Sequence, residues 1–294
     1  MTGLSEDTQQ KRTMNVVNAS ELHRIMGGYD DPEPEQPDTN FEGFDDLYKT
    51  ILPLYDKGDK SPNVKPLSEA VGFKVSAAMR DATVKFIGLE KPKEIPKPII
   101  TYAHERVKAM LFRDDEYDDV STYQLRIGQA REPDAIIELG NWAVEKGLIP
   151  EGSKFEFIGD NQKHESLNGV GATPDGLAPG MSDLTEFGGE TKCFAPERHL
   201  ECWLIKNQQQ LRKEQFDIFC QTQAGMYAHK LKRWLIGFHN PWARKDPELK
   251  FKGLEVTLDE FFISKMEERV ELCRSVINER LAEIDRLKSG YRDD

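Results

Sequence analysis

The spacing of apolar residues divides the chain into helical and extended stretches. Leu22, Ile25 and Met26 make the first apolar face with helical spacing. Asn18 stands at its cap, Glu21 three residues on is placed to reach back, and Gly27-Gly28 closes the run. Helical spacing follows over 66–88 and 99–113, on either side of the breaker KPKEIPKP, and again over 122–146, where Pro133 predicts a kink or a fresh helix start. From about 154 to 193 the period changes. KFEFIGD alternates, GVGATPDGL is rich in turn residues and FGGETKCF is short and glycine-led, which are the marks of strands with tight connections. Helical spacing returns over 209–230, and WLIGF at 234–238 and LEVTL at 254–258 read as buried strands. A long helix from about 259 to 288 closes the chain, and its stripe of Phe262, Met266, Val270, Cys273, Ile277, Leu281 and Ile284 is spaced for core packing or for a partner helix. There is no internal repeat. The order of helix, strands, helix, strands, helix predicts an α/β (α+β) core built on a mixed sheet.

Composition narrows the class. With 38% hydrophobic and 31% charged residues over 294 positions, the chain suits a soluble globular protein with ample core. No run of about 18 apolar residues occurs, so no membrane span is expected. The polar start MTGLSEDTQQKR lacks a signal-peptide core, so a cytoplasmic location is expected. Cys193, Cys202, Cys220 and Cys273 form no C-x-x-C pair and are expected as free thiols. Cys193, His199 and Cys202 lie close in sequence, but their spacing matches no zinc or iron–sulfur signature. Residues 30–46 hold three prolines and eight acids without a base, a solvated linker or an acidic surface that excludes or mimics DNA. The net charge of −12 speaks against broad attraction to nucleic acid, though not against a basic channel within an acidic body.

Glu190-Thr191-Lys192 carries the candidate chemistry. On a strand, side chains two apart share a face, so Glu190 and Lys192 project together while Thr191 faces away. A hairpin returning through 176–189 brings Asp175 beside Glu190, so that two carboxylates and one ammonium converge. Such a trio suits phosphodiester hydrolysis. Hard divalent cations such as Mg²⁺ take carboxylate oxygens and water. Asp175 can bridge two metals or share one with Glu190, and the Thr191 carbonyl can add a ligand. Lys192 would orient the attacking water or neutralise charge on the phosphorane. Asp, Glu and Lys are abundant here, so the trio alone also fits a surface strand with a salt-bridged pair.

The surrounding blocks resemble a known family. GATPDGL followed by GGETKC resembles the PD-(D/E)XK nuclease superfamily, and most of all its phage lambda exonuclease branch, the YqaJ-like viral recombinases. NASELHRIMGG at 18–28 resembles the family's T-A-S-E helix start, and Gly128-Gln129-Ala130-Arg131-Glu132 with Ala135 resembles its G-x-x-x-E-x-x-A helix. QTQAGMYAHK at 221–230 resembles its Q-x-Q-x-x-M helix, and RWLIGFHNP at 233–241 the strand that follows. These blocks run in the family's order and cover roughly two thirds of the chain.

The resemblance implies a restriction-endonuclease-like core, a mixed central sheet flanked by helices. The whole chain, 1–294, would be one nuclease domain with an acidic loop and helices inserted at about 29–118. It implies Asp175, Glu190 and Glu132 as metal ligands with the Thr191 carbonyl, Lys192 as the catalytic lysine, and Gln221 as support for Lys192 or the DNA backbone. Ser20 and Thr173 would bind a 5′-phosphate, and Arg12 is the nearest match to a phosphate-binding arginine, offset by one position. Ser20 also suits a helix cap and Thr173 a turn. The implied activity is a Mg²⁺-dependent 5′→3′ exonuclease on double-stranded DNA ends, with two ions per site and Mn²⁺ as a substitute, used in phage-type DNA recombination. A ring-shaped homotrimer and a single-strand-annealing protein partner come with it. Lys206, Arg212, Lys213, Lys230, Lys232 and Arg233 are candidate backbone contacts. A related endonuclease, an exonuclease of opposite polarity, and a nonenzymatic acidic DNA mimic are the alternatives, and a mimic has no need of Lys192.

Overall fold

The structure, a computed structural model, describes residues 15–29, 37–90, 95–112, 123–157, 164–180 and 186–290. In chain order the elements are β1 (Val17–Asn18), a 3-10 helix (Ala19–Arg24), α1 (Phe44–Asp56), α2 (Val64–Val71), α3 (Ala77–Glu90), α4 (Lys97–Phe112) and α5 (Tyr123–Glu145). Then come β2 (Glu156–Phe157), β3 (Glu165–Leu167), β4 (Val170–Ala172), β5 (Gly176–Pro179) and β6 (Glu186–Cys193). The remainder is α6 (Pro196–Leu204), α7 (Gln208–Glu214), α8 (Phe216–His229), β7 (Arg233–His239), a short 3-10 helix (Pro247–Lys250), β8 (Phe251–Thr257) and α9 (Glu260–Gly290). The fold is mixed α/β, as the alternation of periods implies. No helix among the described residues is long and apolar enough to cross a membrane.

The chain divides into two compact units, residues 30–95 and the remainder. In the smaller one, α1, α2 and α3 enclose Leu47, Ile51, Leu67, Val75 and Ile87. Edge-to-face rings at Phe41–Phe44 and Phe44–Phe86 extend that core. The single helix expected over 66–88 is two, because Gly72 takes a left-handed φ of 77° and ends α2. Within the acidic stretch, residues 37–43 are irregular and α1 starts at Phe44, with Asp45 and Asp46 in its first turn, where the helix dipole favours acids. The separable unit ends at Ile95, and α4 belongs to the larger body.

The body contains a five-stranded sheet ordered β2-β5-β6-β7-β8 and a three-stranded sheet ordered β1-β4-β3. In the larger sheet only β6 and β7 run parallel; β2–β5, β5–β6 and β7–β8 are antiparallel. A parallel pair needs a crossover, and α6, α7 and α8 supply it. On one face, α5 lays Ile136, Leu139 and Ala143 against Phe155, Phe187 and Leu235. The helix continues through Pro133, so of the kink or fresh start expected there, no fresh start occurs. Pro133 removes one backbone donor, but the buried stripe running through Ala135, Ile136 and Leu139 holds the turns on either side. The opposite face packs on α8. The helix expected over 209–230 is interrupted at Gln215, and Asn207 caps α7 by accepting from the Gln210 amide at 2.9 Å.

The first turn also differs from expectation. Ala19–Arg24 is a 3-10 helix, and the Asn18 side chain caps nothing. Its amide instead donates to the Glu21 carboxylate at 3.3 Å. In α9 the stripe is core from Phe262 through Ile277, while Leu281 and Ile284 are half-buried.

Trp234 fixes how closely α8 approaches the sheet. Its ring is buried between two glycines: a Cβ at Gly225 on α8 would lie 2.6 Å from the ring, and one at Gly188 on β6 would overlap it. Gly188→Ala is expected to lower stability by about 1–3 kcal/mol through overpacking. Gly27→Ala, with nothing within 4 Å of the added atom, serves as the control. Urea midpoints that shift equally for both variants would contradict this packing.

Candidate active site

Strand alternation and helix periodicity place the site. Gly188, Glu190 and Lys192 follow one another on the β6 face that meets α8. Two strand residues span about 6.8 Å and four helical residues about 6 Å, so Gln221 can stand over Glu190 while Gly225, one turn on, stands over Gly188. The hydrogen bonds agree. Lys192 Nζ donates to Glu190 Oε1 at 2.7 Å and to Gln221 Oε1 at 2.9 Å, and Gln221 Nε2 donates to Glu190 Oε1 at 2.6 Å. The three side chains form a closed triangle with Glu190 buried at 6% exposure.

Asp175 joins from the turn before β5. Its amide donates to the Gly189 carbonyl at 2.9 Å, continuing the β5–β6 ladder by one step beyond the Gly176–Gly189 pair. Its Oδ2 accepts from the Thr191 amide at 2.6 Å and from Thr191 Oγ1 at 3.0 Å. Glu132, half-buried on α5, reaches Asp175 from the other face of the sheet, a contact that needs a proton on one of the two carboxyls. It lies on the same helical stripe as Ala135, Ile136 and Leu139, whose burial sets its direction. The structure thus brings together Glu132, Asp175, Glu190, Thr191, Lys192 and Gln221.

Burial governs the electrostatics. The Asp175 carboxyl is pushed up to about 8, first by burial and then by the charge and hydrogen bond of Glu132, against the pull of Lys192 and the Thr191 amide. Glu190 is pushed up to about 7 by burial and by Asp175, with Lys192 and Gln221 opposing. Burial alone lowers Lys192, but the charges of Glu190 and Asp175 outweigh it and hold the ammonium above its usual range. Three carboxyl groups face a single cation, so full ionisation of the site would leave it short of positive charge. Its all-oxygen donor set is the chemistry a hard divalent cation takes. Among the described residues no three His, Cys, Asp or Glu side chains are already gathered around a common point. They stand as coupled pairs that an ion would have to draw together.

Among the described residues, the other expected ones take no part in the hydrogen bonds that join this cluster. Ser20 is exposed on the 3-10 helix. Thr173 is half-buried two residues before Asp175, within hydrogen-bond distance of His164, which sequence reading passed over because its partners are distant along the chain. Arg12 lies outside the described residues. Of the candidate backbone contacts, Arg212 pairs with Asp259 at 3.6 Å and Arg233 with Glu255, while Lys206, Lys213, Lys230 and Lys232 are exposed. All four cysteines are free, with Cys202, Cys220 and Cys273 buried, and His199 engages the Leu249 carbonyl at 2.7 Å.

Fold and site together define a mixed α/β protein whose central strand ends in a carboxylate–lysine cluster. No protein-family model and no curated protein matches the chain. A solved structure shares the fold. The crystal structure of LHK-Exo in complex with dAMP matches with a TM-score of 0.54 and 16% identity over 98% of this chain and 99% of that one. The alkaline exonuclease LHK-Exo from Laribacter hongkongensis matches at 0.49 and 15% identity over the same shares, 98% and 99%. A phage-related exonuclease from Haemophilus somnus 129PT matches at 0.48 and 14% identity over 91% and 96%. The first of these likenesses carries the fold assignment.

The raised carboxyls have a consequence for stability. Between the ordinary carboxylate range and about pH 8, the metal-free folded state holds protons that the unfolded chain has released. Stability contributed by these groups is therefore fully present below the ordinary carboxylate range and declines as pH rises toward 8. Asp175→Asn, which cannot ionise, is expected to flatten that decline. Urea midpoints across this pH range in the presence of a chelator measure it; parallel profiles for wild type and variant would refute the burial argument.

Proposed function

We propose that this chain is a metal-dependent deoxyribonuclease, an exonuclease that hydrolyses phosphodiester bonds at double-stranded DNA ends. The observation that carries this reading is the convergence of Glu132, Asp175, Glu190 and Lys192 at the end of β6, in a fold shared with LHK-Exo. That relative was crystallised with dAMP, a deoxynucleoside monophosphate. The motif order read in the sequence supports the same class.

Asp175, Glu190, Glu132 and the Thr191 carbonyl would hold Mg²⁺, with Mn²⁺ as a substitute and two ions per site. When bound, the ions polarise the scissile phosphate, acidify water and stabilise the leaving oxygen. Lys192 holds the attacking water in line and offsets charge on the phosphorane. Gln221 holds Lys192 and Glu190 in register, leaving neither free to swing away. Ser20, Thr173 and Arg12 serve the 5′-phosphate, and the polarity is 5′→3′, leaving a 3′ overhang for phage-type recombination. A homotrimer ring around the duplex and a single-strand-annealing partner complete the proposal. A basic channel within such a ring is compatible with a net charge of −12, since only its lining need be positive.

Incubation of 5′-phosphorylated linear duplex with Mg²⁺ tests the reaction. Mononucleotides released from one strand are expected with wild type, with a loss of roughly 100-fold or more for Lys192→Ala. Strand-specific end labels read the polarity, and light scattering reads the trimer. Rapid cutting of covalently closed circles would point to an endonuclease instead. Undiminished cleavage by Asp175→Ala, or in chelator, would overturn the mechanism.

A further inference from the structure

A chain of hydrogen bonds leads from the 3-10 helix to the turn that carries Asp175, and its direction is fixed from one end. Glu21, as a carboxylate, can only accept. Asn18 Nδ2 donates to it at 3.3 Å, so the other amide atom of Asn18, Oδ1, must be the one facing Asn15. Asn15 Nδ2 donates to that oxygen at 3.1 Å, and Asn15 Oδ1 accepts from Ser166 Oγ at 2.7 Å. The second hydrogen on Asn15 Nδ2 then meets His164 Nε2 at 2.9 Å. Nε2 must accept it. In the neutral ring the proton sits on Nδ1, which faces Thr173 Oγ1 at 2.9 Å.

Each step forces the next. Thr173 Oγ1 accepts from the ring, so its own hydrogen is left to donate. Among the described residues no acceptor occupies that hydrogen. Asn15 and His164 are both buried, at 4% and 9% exposure, while Thr173 is half-buried, so the chain runs from the interior to an accessible hydroxyl. The Arg106 guanidinium pins the Asn15 carbonyl at 2.7 Å and Tyr102 donates to Glu21 at 3.0 Å, so both Asn15 and Glu21 are anchored on α4.

We propose that His164, held by Asn15 with its proton on Nδ1, is a positioning residue that orients the Thr173 hydroxyl to donate to a phosphate oxygen of the DNA. The inference rests on the nuclease reading above. It adds to that reading two residues, His164 and Asn15, and a directional reason for the hydroxyl at position 173. Accepting from the ring occupies one of the two lone pairs of Thr173 Oγ1, which holds the hydroxyl in place and narrows the directions its hydrogen can take.

The test has two parts. Nitrogen-15 imidazole correlations on the wild-type protein read which ring nitrogen of His164 carries the proton, without DNA or activity. A proton on Nδ1 is expected; a proton on Nε2 alone would overturn the proposal. Steady-state kinetics on linear duplex then compare Thr173→Ser, Thr173→Val, His164→Asn and His164→Gln. Asparagine presents an amide near the Nδ1 position, whereas glutamine presents one near Nε2. Thr173→Val and His164→Gln are expected to raise KM roughly 10-fold with kcat little changed, the mark of a lost hydrogen bond to a charged group. Thr173→Ser and His164→Asn are expected to restore wild-type KM. An effect confined to 5′-phosphorylated ends identifies the terminal phosphate, and an effect shared by 5′-hydroxyl ends identifies an internal one. Equal KM for His164→Asn and His164→Gln would overturn the positioning role. Wild type that fails to degrade duplex would sink the nuclease reading, while the imidazole measurement would still test the hydrogen-bond chain independently.

Discussion

Two hydrogen bonds converge on one oxygen, Glu190 Oε1, and the arrangement of the site depends on them. Lys192 and Gln221 both donate there, at 2.7 and 2.6 Å, and to do so they must arrive from a strand and from a helix at a common height. That requires α8 to lie close on β6, which requires Trp234 to be accommodated between them, which requires glycine at both 188 and 225. The glycine pair in GGETKC is therefore part of the site's construction. Gly188 admits the ring on the α8 face, while its neighbour Gly189 faces Phe155 and Leu139 on the α5 face. Alternation along a single strand thus packs both layers and then delivers Glu190 and Lys192 to one of them.

Much of this was legible in the sequence, and for local reasons. The shared face of residues 190 and 192 follows from the strand period, and Asp175 follows from a short hairpin. The helical stripe from Phe262 to Ile277 follows from a long, regular spacing. What was not legible depends on contacts between distant segments or on brief elements. Helix α6 has nine residues and α7 seven, too few for a stripe to establish itself, and α1 was hidden behind the acidic composition that precedes it. A fresh helix start at Pro133 follows from its local cost, whereas the burial that carries the helix through it comes from the sheet. Gln221 was indistinguishable from any polar helix residue until the order of neighbouring motifs singled it out. His164 had no signal at all, since its partner Asn15 is 149 positions away.

The direction of hydrogen bonding, more than its amount, gives the site its character. At Asp175 and Glu190 the carboxylates accept from Thr191, Lys192 and Gln221. At the neighbouring turn the chain from Glu21 to Thr173 ends in a donor. One turn, residues 173–175, therefore offers a hydrogen at its start and a carboxylate at its end. A nucleic-acid phosphate is anionic and accepts hydrogen bonds. It would be welcomed by the first and repelled by the second.

Lys192 alone cannot balance that repulsion: two of its three N–H groups go to Glu190 and Gln221, and one positive charge faces three acids. With Glu132, Asp175 and Glu190 ionised, the cluster carries three negative charges against one positive, and the substrate adds more. The raised carboxyls of Asp175 and Glu190 express the same imbalance: without further positive charge, the site prefers to hold protons. Protonation and a divalent cation are the two ways such a cluster can be brought toward neutrality, and only the second also draws a phosphate in. This charge balance distinguishes the cluster from a salt-bridged pair on a strand, and it is what the metal-binding proposal rests on. A pair would need one acid for Lys192, and this fold buries Glu190 beside it and holds Asp175 and Glu132 against the same strand end.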